Sequence, residues 1–260
     1  MEEIIFEKKV SKGSRFNQIY IPKKMGNLVE VGDLVQIKVL EKHRKLYYKN
    51  QKKLPDFKEY LIKKVFSDLQ RISEIKTIFV VGSFLYETIY NDIDIIIITD
   101  KEKKVSEKNI ESLLIKTFNQ KFHVLLFNDE KLRILMEKDP LVRVMFNNYI
   151  SNKKIYFDYK KKIDEKHILF LLMMPEDLLE LTLPSKVFYD NLRRLTAIEE
   201  FLRNKDLERE YLLNKIREEI GIKLFDKIKN NEEINDREIS ILREFIKKKI
   251  KDIKKIMKNG

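Results

Sequence analysis

The chain has 260 residues, with 54 Lys or Arg against 42 Asp or Glu, three His and no Cys. These counts exclude disulfides and thiolate metal sites and leave too few imidazoles for a zinc centre; no run approaches the ~20 apolar residues of a membrane span. Met1-Glu2-Glu3 does not open a signal peptide, so the expectation is a soluble, cytoplasmic protein without membrane contact, built from two or three domains.

At the N-terminal end, Ile4 to Val10 and Asn17 to Ile21 read as short strands around a Lys12-Gly13-Ser14 turn. Pro22 fixes the entry to one helical turn over Lys23 to Met25, Gly26 closes it, and alternation from Leu34 to Leu40 predicts a further strand. The stretches VSKGSRFNQIYIPKKM and VEVGDLVQIKVL together resemble the AbrB-like swapped-hairpin family. That resemblance implies an interlaced homodimer through residues 1–41, because four short strands from ~40 residues bury too little surface alone. It also implies DNA contact through Lys12, Arg15, Lys23 and Lys24, which would grip phosphates rather than read bases. Residues 1–41 hold seven Lys or Arg against six acids, so a dimerisation module without DNA affinity competes with this reading.

Residues 42–54 form a basic stretch, KHRKLYYKNQKK followed by Leu54, with six Lys or Arg and no acid. Interleaved Tyr47 and Tyr48 suit a nucleic-acid backbone or exposed bases, but a like-charge run is more often a solvated linker, and a linker is expected.

A second domain is expected over residues 55–160. Asp56 reads as a helix N-cap, and Phe57, Tyr60, Leu61, Val65, Leu69 and Ile72 keep helical spacing into a buried strand, Ile78 to Val81. A Gly82-Ser83 turn follows, then a second apolar strand, Ile93 to Ile98, with Asp92 and Asp94 at its mouth. Positions two apart on a strand face the same way, so the two carboxylates project together. Paired acids beside an oily strand are costly unless a cation lies between them, and Mg²⁺ is commonly held by one or two carboxylates with substrate phosphates. Gly82 and Ser83 offer close backbone approach and donors for those phosphates. Beyond them come a Ser106-capped helix, a strand from Lys121 to Phe127, helices over Asp129 to Glu137 and Pro140 to Tyr149, and a closing strand from Lys154 to Phe157.

The succession of apolar strand, Gly82-Ser83, spacer, Asp92-Ile93-Asp94 and apolar strand resembles the DNA polymerase β-like nucleotidyltransferase superfamily. The resemblance implies a nucleotidyltransferase core in which the Gly-Ser turn binds the triphosphate, the paired Asp residues bind Mg²⁺ or Mn²⁺, and a third carboxylate on a later strand completes a two-metal site. Here the later strand carries His123, and Asp129 would replace the missing acid only if the turn brings it back. His123 is weighed as a ligand or base against a satisfied strand-edge histidine, the second being favoured because imidazole is a poor substitute for carboxylate on Mg²⁺.

Residues 161–260 read as helices alone. Val187, Phe188, Leu192, Leu195, Ile198, Phe201 and Leu202 make one apolar stripe; Gly221 ends the next helix; Ile239, Leu242, Ile246, Ile250 and Ile253 make another stripe. Arg193, Arg194 and the run KKKIKDIKK are set between a phosphate- or RNA-facing surface and a solvated helix face, the latter favoured. A helical domain behind such a core resembles antibiotic-modifying and RNA-tailing enzymes, in which the bundle shapes the acceptor pocket.

The fold class expected is thus α+β and multidomain: a small AbrB-like β unit, a nucleotidyltransferase core with a mixed sheet, and a helical bundle. The function expected is transfer of a nucleoside monophosphate from an NTP, with ATP the leading substrate, to a hydroxyl on protein, RNA or a small molecule. The alternative is a DNA-binding regulator or antitoxin-like protein whose nucleotidyltransferase domain senses nucleotide or has degenerated.

Overall fold

The computed structural model describes residues 6–22, 29–38, 45–100, 105–177, 179, 181, 184–205 and 207–259. The chain divides into two compact units, Met1–His43 and Arg44–Gly260. Among the described residues no helix is long and apolar enough to cross a membrane.

In the first unit, β1 (Ser11–Lys12) pairs antiparallel with β2 (Asn17–Gln18), and the Gly13 N–H donates to the Phe16 carbonyl at 3.0 Å. Of the strand expected over Ile4 to Val10 the described residues 6–10 form none, β1 falling instead at the expected turn. The strand expected over Asn17 to Ile21 shortens to Asn17–Gln18, and no strand forms over 34–38, while Ile4, Ile5, Val39 and Leu40 lie outside the described residues. Among the described residues these segments find no buried partner. Val31 and Leu34 are fully exposed and Phe16 is 76% exposed, and no described residue of this unit enters a hydrophobic cluster. The helical turn expected over Lys23 to Met25 lies outside the described residues, as do Lys23 and Lys24 themselves.

The second unit holds a five-stranded mixed sheet in the order β3 (Tyr47–Lys49), β7 (Tyr149–Ser151), β4 (Ile75–Val81), β5 (Ile93–Thr99), β6 (Phe122–Asn128). All pairings are antiparallel except β5 with β6, which run parallel and are joined through the crossover helix α2 (Glu107–Phe118). Alternation along β4 sorts its side chains onto two covered faces. Ile78 and Val80 pack with Phe66 and Leu69 of α1 (Asp56–Leu69) and with Ile110 and Leu114 of α2. Phe79 and Val81 pack on the other face with Leu132 and Met136 of α3 (Asp129–Lys138), and with Phe146 and Tyr149. Being buried on both sides explains why β4 and β5 read as unbroken apolar runs.

Three expectations need correction here. The basic stretch 42–54 is not a linker throughout, because Tyr47–Lys49 is the edge strand β3, with Tyr48 opposite Ile150 and with Leu46 and Leu54 buried on either side. The closing strand is Tyr149–Ser151 rather than Lys154 to Phe157: the Asn152 side chain accepts from the Ile78 N–H at 2.9 Å, and the chain then leaves the sheet. Asp56 is the first helical residue of α1, behind Pro55, not its cap.

The helix expected over Pro140 to Tyr149 stops at Met145; this is α4 (Pro140–Met145), whose first turn is capped by Asp139, accepting from the Leu141 and Val142 N–H groups at 2.7 and 3.0 Å. The same carboxylate holds His167 Nε2 at 2.8 Å, which ties α5 (Glu165–Asp177) to the end of the sheet domain. From there the chain is helical, with α6 (Ser185–Leu202) packed against α4, α5, α7 (Arg209–Ile220), α8 (Ile222–Lys229) and α9 (Asp236–Asn259). Phe188, Leu192, Leu195 and Ile198 of α6 meet Ile216, Phe225, Leu242, Ile246 and Ile253 in one core.

Candidate active site

Strand β4 ends at Val81 and the chain turns at Gly82, whose φ of 79° and ψ of −164° suit glycine. A second constraint is steric. A Cβ on residue 82 would overlap the Asp94 Oδ2 and lie 3.0 Å from its Cγ, so the missing side chain lets β5 bring its carboxylate against the turn. Ser83–Leu85 then form one 3-10 turn, and the Ser83 carbonyl accepts from the N–H groups of Tyr86 and Glu87 at 2.9 and 2.8 Å.

Buried Phe84 and Leu85 anchor this loop, and so does Lys58, which sequence reasoning missed. Its ammonium donates to the carbonyls of Phe84 and Glu87, at 2.5 and 2.8 Å, from beside the rings of Phe84 and Tyr90. Burial pushes the Lys58 ammonium below its ordinary pKa, an effect that the charge of Glu87 opposes. The only sequence signal for Lys58 is its place on the helix stripe continued by Ile62, Val65, Phe66 and Leu69.

The register sets the rest of the site. Asp94 lies opposite Val81 on one side and His123 on the other. Both share the parity of Ile96, Ile98 and Phe127, the face that α3 covers. His123 Nδ1 stands 3.1 Å from Asp94 Oδ1, with His123 about half exposed and Asp94 mostly covered. Burial pushes the Asp94 carboxyl above its ordinary pKa; the His123 hydrogen bond opposes this, neighbouring Asp92 adds to it, and Arg193 on α6 opposes it again. Asp92 and Asp94 thus lie close enough to feel each other, and His123 occupies the register position beside Asp94.

Facing helices contribute arginines. A cleft of about 210 Å³ is lined by Leu141, Val144, Asp190, Arg193, Arg209 and Leu212 among others. Arg209 lies over the Tyr86 ring at 4.5 Å and bonds Glu87 at 3.2 Å, linking α7 to the Gly-Ser loop. Arg193 sits 3.8 Å from Asp190, whereas Arg194 turns to the Leu171 carbonyl on α5.

Other candidates stand elsewhere. Asp129 does not return to the site: His123 pairs with Asp94 at one end of β6, Asn128 pairs with Thr99 at the other, and Asp129 beyond it bonds Lys76 at 3.0 Å. Within the run 247–255, Lys249 is buried between Glu199 and Glu219, and Lys254 pairs with Glu176 at 2.5 Å. Lys12 and Arg15 are exposed on the hairpin of the first unit.

Among the described residues no group of three or more His, Cys, Asp or Glu side chains forms a metal-ligand set. The donors present still fit a hard cation completed by phosphate and water, because two neighbouring carboxylates lie beside the Gly82 turn, and burial raises the cost of leaving one of them, Asp94, charged without a cation. No family model, no curated protein and no solved structure matches this chain.

Proposed function

We propose that the second unit is a nucleotidyltransferase of the polymerase β-like kind, transferring a nucleoside monophosphate from an NTP, with ATP foremost, to an acceptor hydroxyl. The observation that carries the reading is the seating of the Asp94 carboxylate where a Gly82 Cβ would stand, which sets the Gly82-Ser83 turn directly against the strand mouth that carries the paired carboxylates. Asp92 and Asp94 would hold Mg²⁺ or Mn²⁺, which when bound neutralises phosphate charge in an in-line displacement. The Gly82 and Ser83 turn would hold the β and γ phosphates, and Arg193 adds positive charge from α6. The acceptor oxygen bonds to the α-phosphorus as the bond to pyrophosphate breaks. His123, oriented by Asp94 through Nδ1, takes the hydroxyl proton on its other ring nitrogen.

Within the same reading the first unit is an AbrB-like hairpin module that pairs with a second copy through residues 1–41. Its exposed Phe16, Val31 and Leu34 support this, and Lys12 and Arg15, with Lys23 and Lys24, are its candidate DNA contacts.

The lack of a third carboxylate beside Asp92 and Asp94 among the described residues favours a second reading, a DNA-binding regulator whose nucleotidyltransferase-like domain senses nucleotide. The two are separated by incubating the protein and its Asp92→Ala/Asp94→Ala variant with α-labelled NTPs, Mg²⁺ or Mn²⁺ and cell extract. Label on protein, RNA or a small acceptor with the unmutated chain alone supports the transferase. Absence of labelling with the fold intact, together with DNA binding that survives the substitutions, supports the regulator.

A further inference from the structure

The row of residues that holds the candidate site continues across the sheet to a second cavity. Lys49 lies opposite Tyr149, and the β7–β4 register, extended by one residue, puts Tyr149 beside Val81, which faces Asp94. Three strand spacings separate Lys49 from Asp94, about 14 Å. The Lys49 ammonium stands over the rings of Tyr149 and Phe157, on the sheet face that Asp94 also uses.

Here a cavity of about 260 Å³ opens between β3, α4, residues 157–161 and the end of α6. Its walls bring together four cations, Lys49, Arg143, Lys161 and Lys205, with the rings of Phe157 and Tyr159. Among the described residues none of the four pairs with a carboxylate. Glu137 acts on Arg143 only at a distance, being bonded to Lys162 at 2.7 Å and to Arg133 at 3.5 Å.

The cations are positioned rather than neutralised. Lys49 donates to the Phe146 carbonyl at 3.0 Å, Lys161 to the Phe201 carbonyl and the Asn204 side chain, and Arg143 to the carbonyls of Met136 and Tyr159 at 2.5 and 2.8 Å. A lysine has three N–H donors and an arginine five, so several remain for a ligand. Burial pushes Lys49, Lys161 and Arg143 below their ordinary pKa values, and the Arg143 charge adds to the effect on Lys161. Neighbouring, partly desolvated like charges are relieved by a bound anion, and polar carbonyls with aromatic walls suit a planar base beside it.

We infer that this cavity is a binding site for the phosphate group of a nucleotide, either a free mononucleotide or one residue of a single strand. The inference does not depend on transfer chemistry at Asp94.

The test uses the full chain carrying Asp92→Asn/Asp94→Asn, without divalent ions, so that the other site is disabled. Adenosine 5′-monophosphate, adenosine and a 5′-phosphorylated tetraribonucleotide are titrated calorimetrically. The phosphorylated probes are expected to bind at least about tenfold more tightly than adenosine, and Lys49→Gln/Lys161→Gln to weaken them about tenfold or more with the unfolding midpoint held. A preference for the tetranucleotide assigns a strand, and equal affinity assigns the free nucleotide. Should the double variant fail to fold, exposed Lys205→Gln serves instead, with about threefold weaker binding and a salt slope reduced by about one. Failure of the phosphorylated probes to bind, equal binding of adenosine, or affinities unchanged by the substitutions would overturn the inference.

Discussion

Gly82 lies so close against Asp94 that any Cβ at position 82 would overlap the carboxylate Oδ2. Gly82→Ala must therefore displace either the turn or the carboxylate, and it also carries the strain of a positive φ. The substitution is expected to cost about 1–2 kcal/mol of stability and to abolish metal-dependent NTP binding while the sheet stays folded. Thermal unfolding and NTP titration of the same sample read the two effects separately. Unchanged NTP affinity would show that the Gly82–Asp94 contact has no part in binding.

Position 123 is open to redesign because its backbone is fixed beside Asp94 by the parallel ladder. His123→Asp would set a third carboxylate beside the pair, and Mn²⁺ affinity measured by paramagnetic titration should rise about tenfold. If His123 is the proton acceptor, His123→Ala lowers the transfer rate without lowering NTP affinity.

The helical bundle contains a buried ion cluster whose effect on stability has a definite pH sign. Burial raises the Glu199 carboxyl, but Lys249, Lys215 and Arg203 outweigh it and hold the group below its ordinary 4.5. A depressed folded pKa means that the contribution is complete above the unfolded value and is lost as pH falls through the folded one. Unfolding midpoints measured from pH 7 to pH 3 should fall on the acid side of 4.5 in the native chain and fall less steeply in Glu199→Gln. At pH 7 that variant should lose about 3 kcal/mol, because Lys249 is 4% exposed and keeps only Glu219.

In the first unit, Leu34 is fully exposed and Ile37 is 66% exposed. If residues 1–41 pair with a second copy, Leu34→Asp/Ile37→Asp will shift the sedimenting species from dimer to monomer and leave the thermal transition of the second unit in place. A monomeric native chain would remove the dimer from the proposal.

Much of the second unit was legible because its cues are local. The apolar runs of β4 and β5, the Gly82-Ser83 turn and the parity of Asp92 with Asp94 all lie within 24 consecutive residues, Thr77 to Asp100. What escaped depends on distant chain. Tyr47–Lys49 carries a linker's composition, and only pairing with Tyr149–Ser151 makes it a strand. The alternation of Ile155 and Phe157 mimics a strand, yet these side chains pack under the sheet edge after Asn152 has ended the ladder. Lys58 reads as a surface lysine until two loop carbonyls receive its ammonium.

The parallel pairing of β5 with β6 also bears on how this chain tolerates insertion and deletion. Asp94 and His123 are 29 positions apart, and their juxtaposition rests on the α2 crossover delivering β6 in one register. Gaining or losing a single residue just before Phe122 would turn residue 123 to the opposite face, whereas a change of two would restore the face one step along. Variation in the crossover should therefore survive as even-numbered length changes next to β6 or as changes absorbed at the αL residue Asn119. Substitution at position 123 escapes that parity rule, since whatever side chain stands there is delivered beside Asp94.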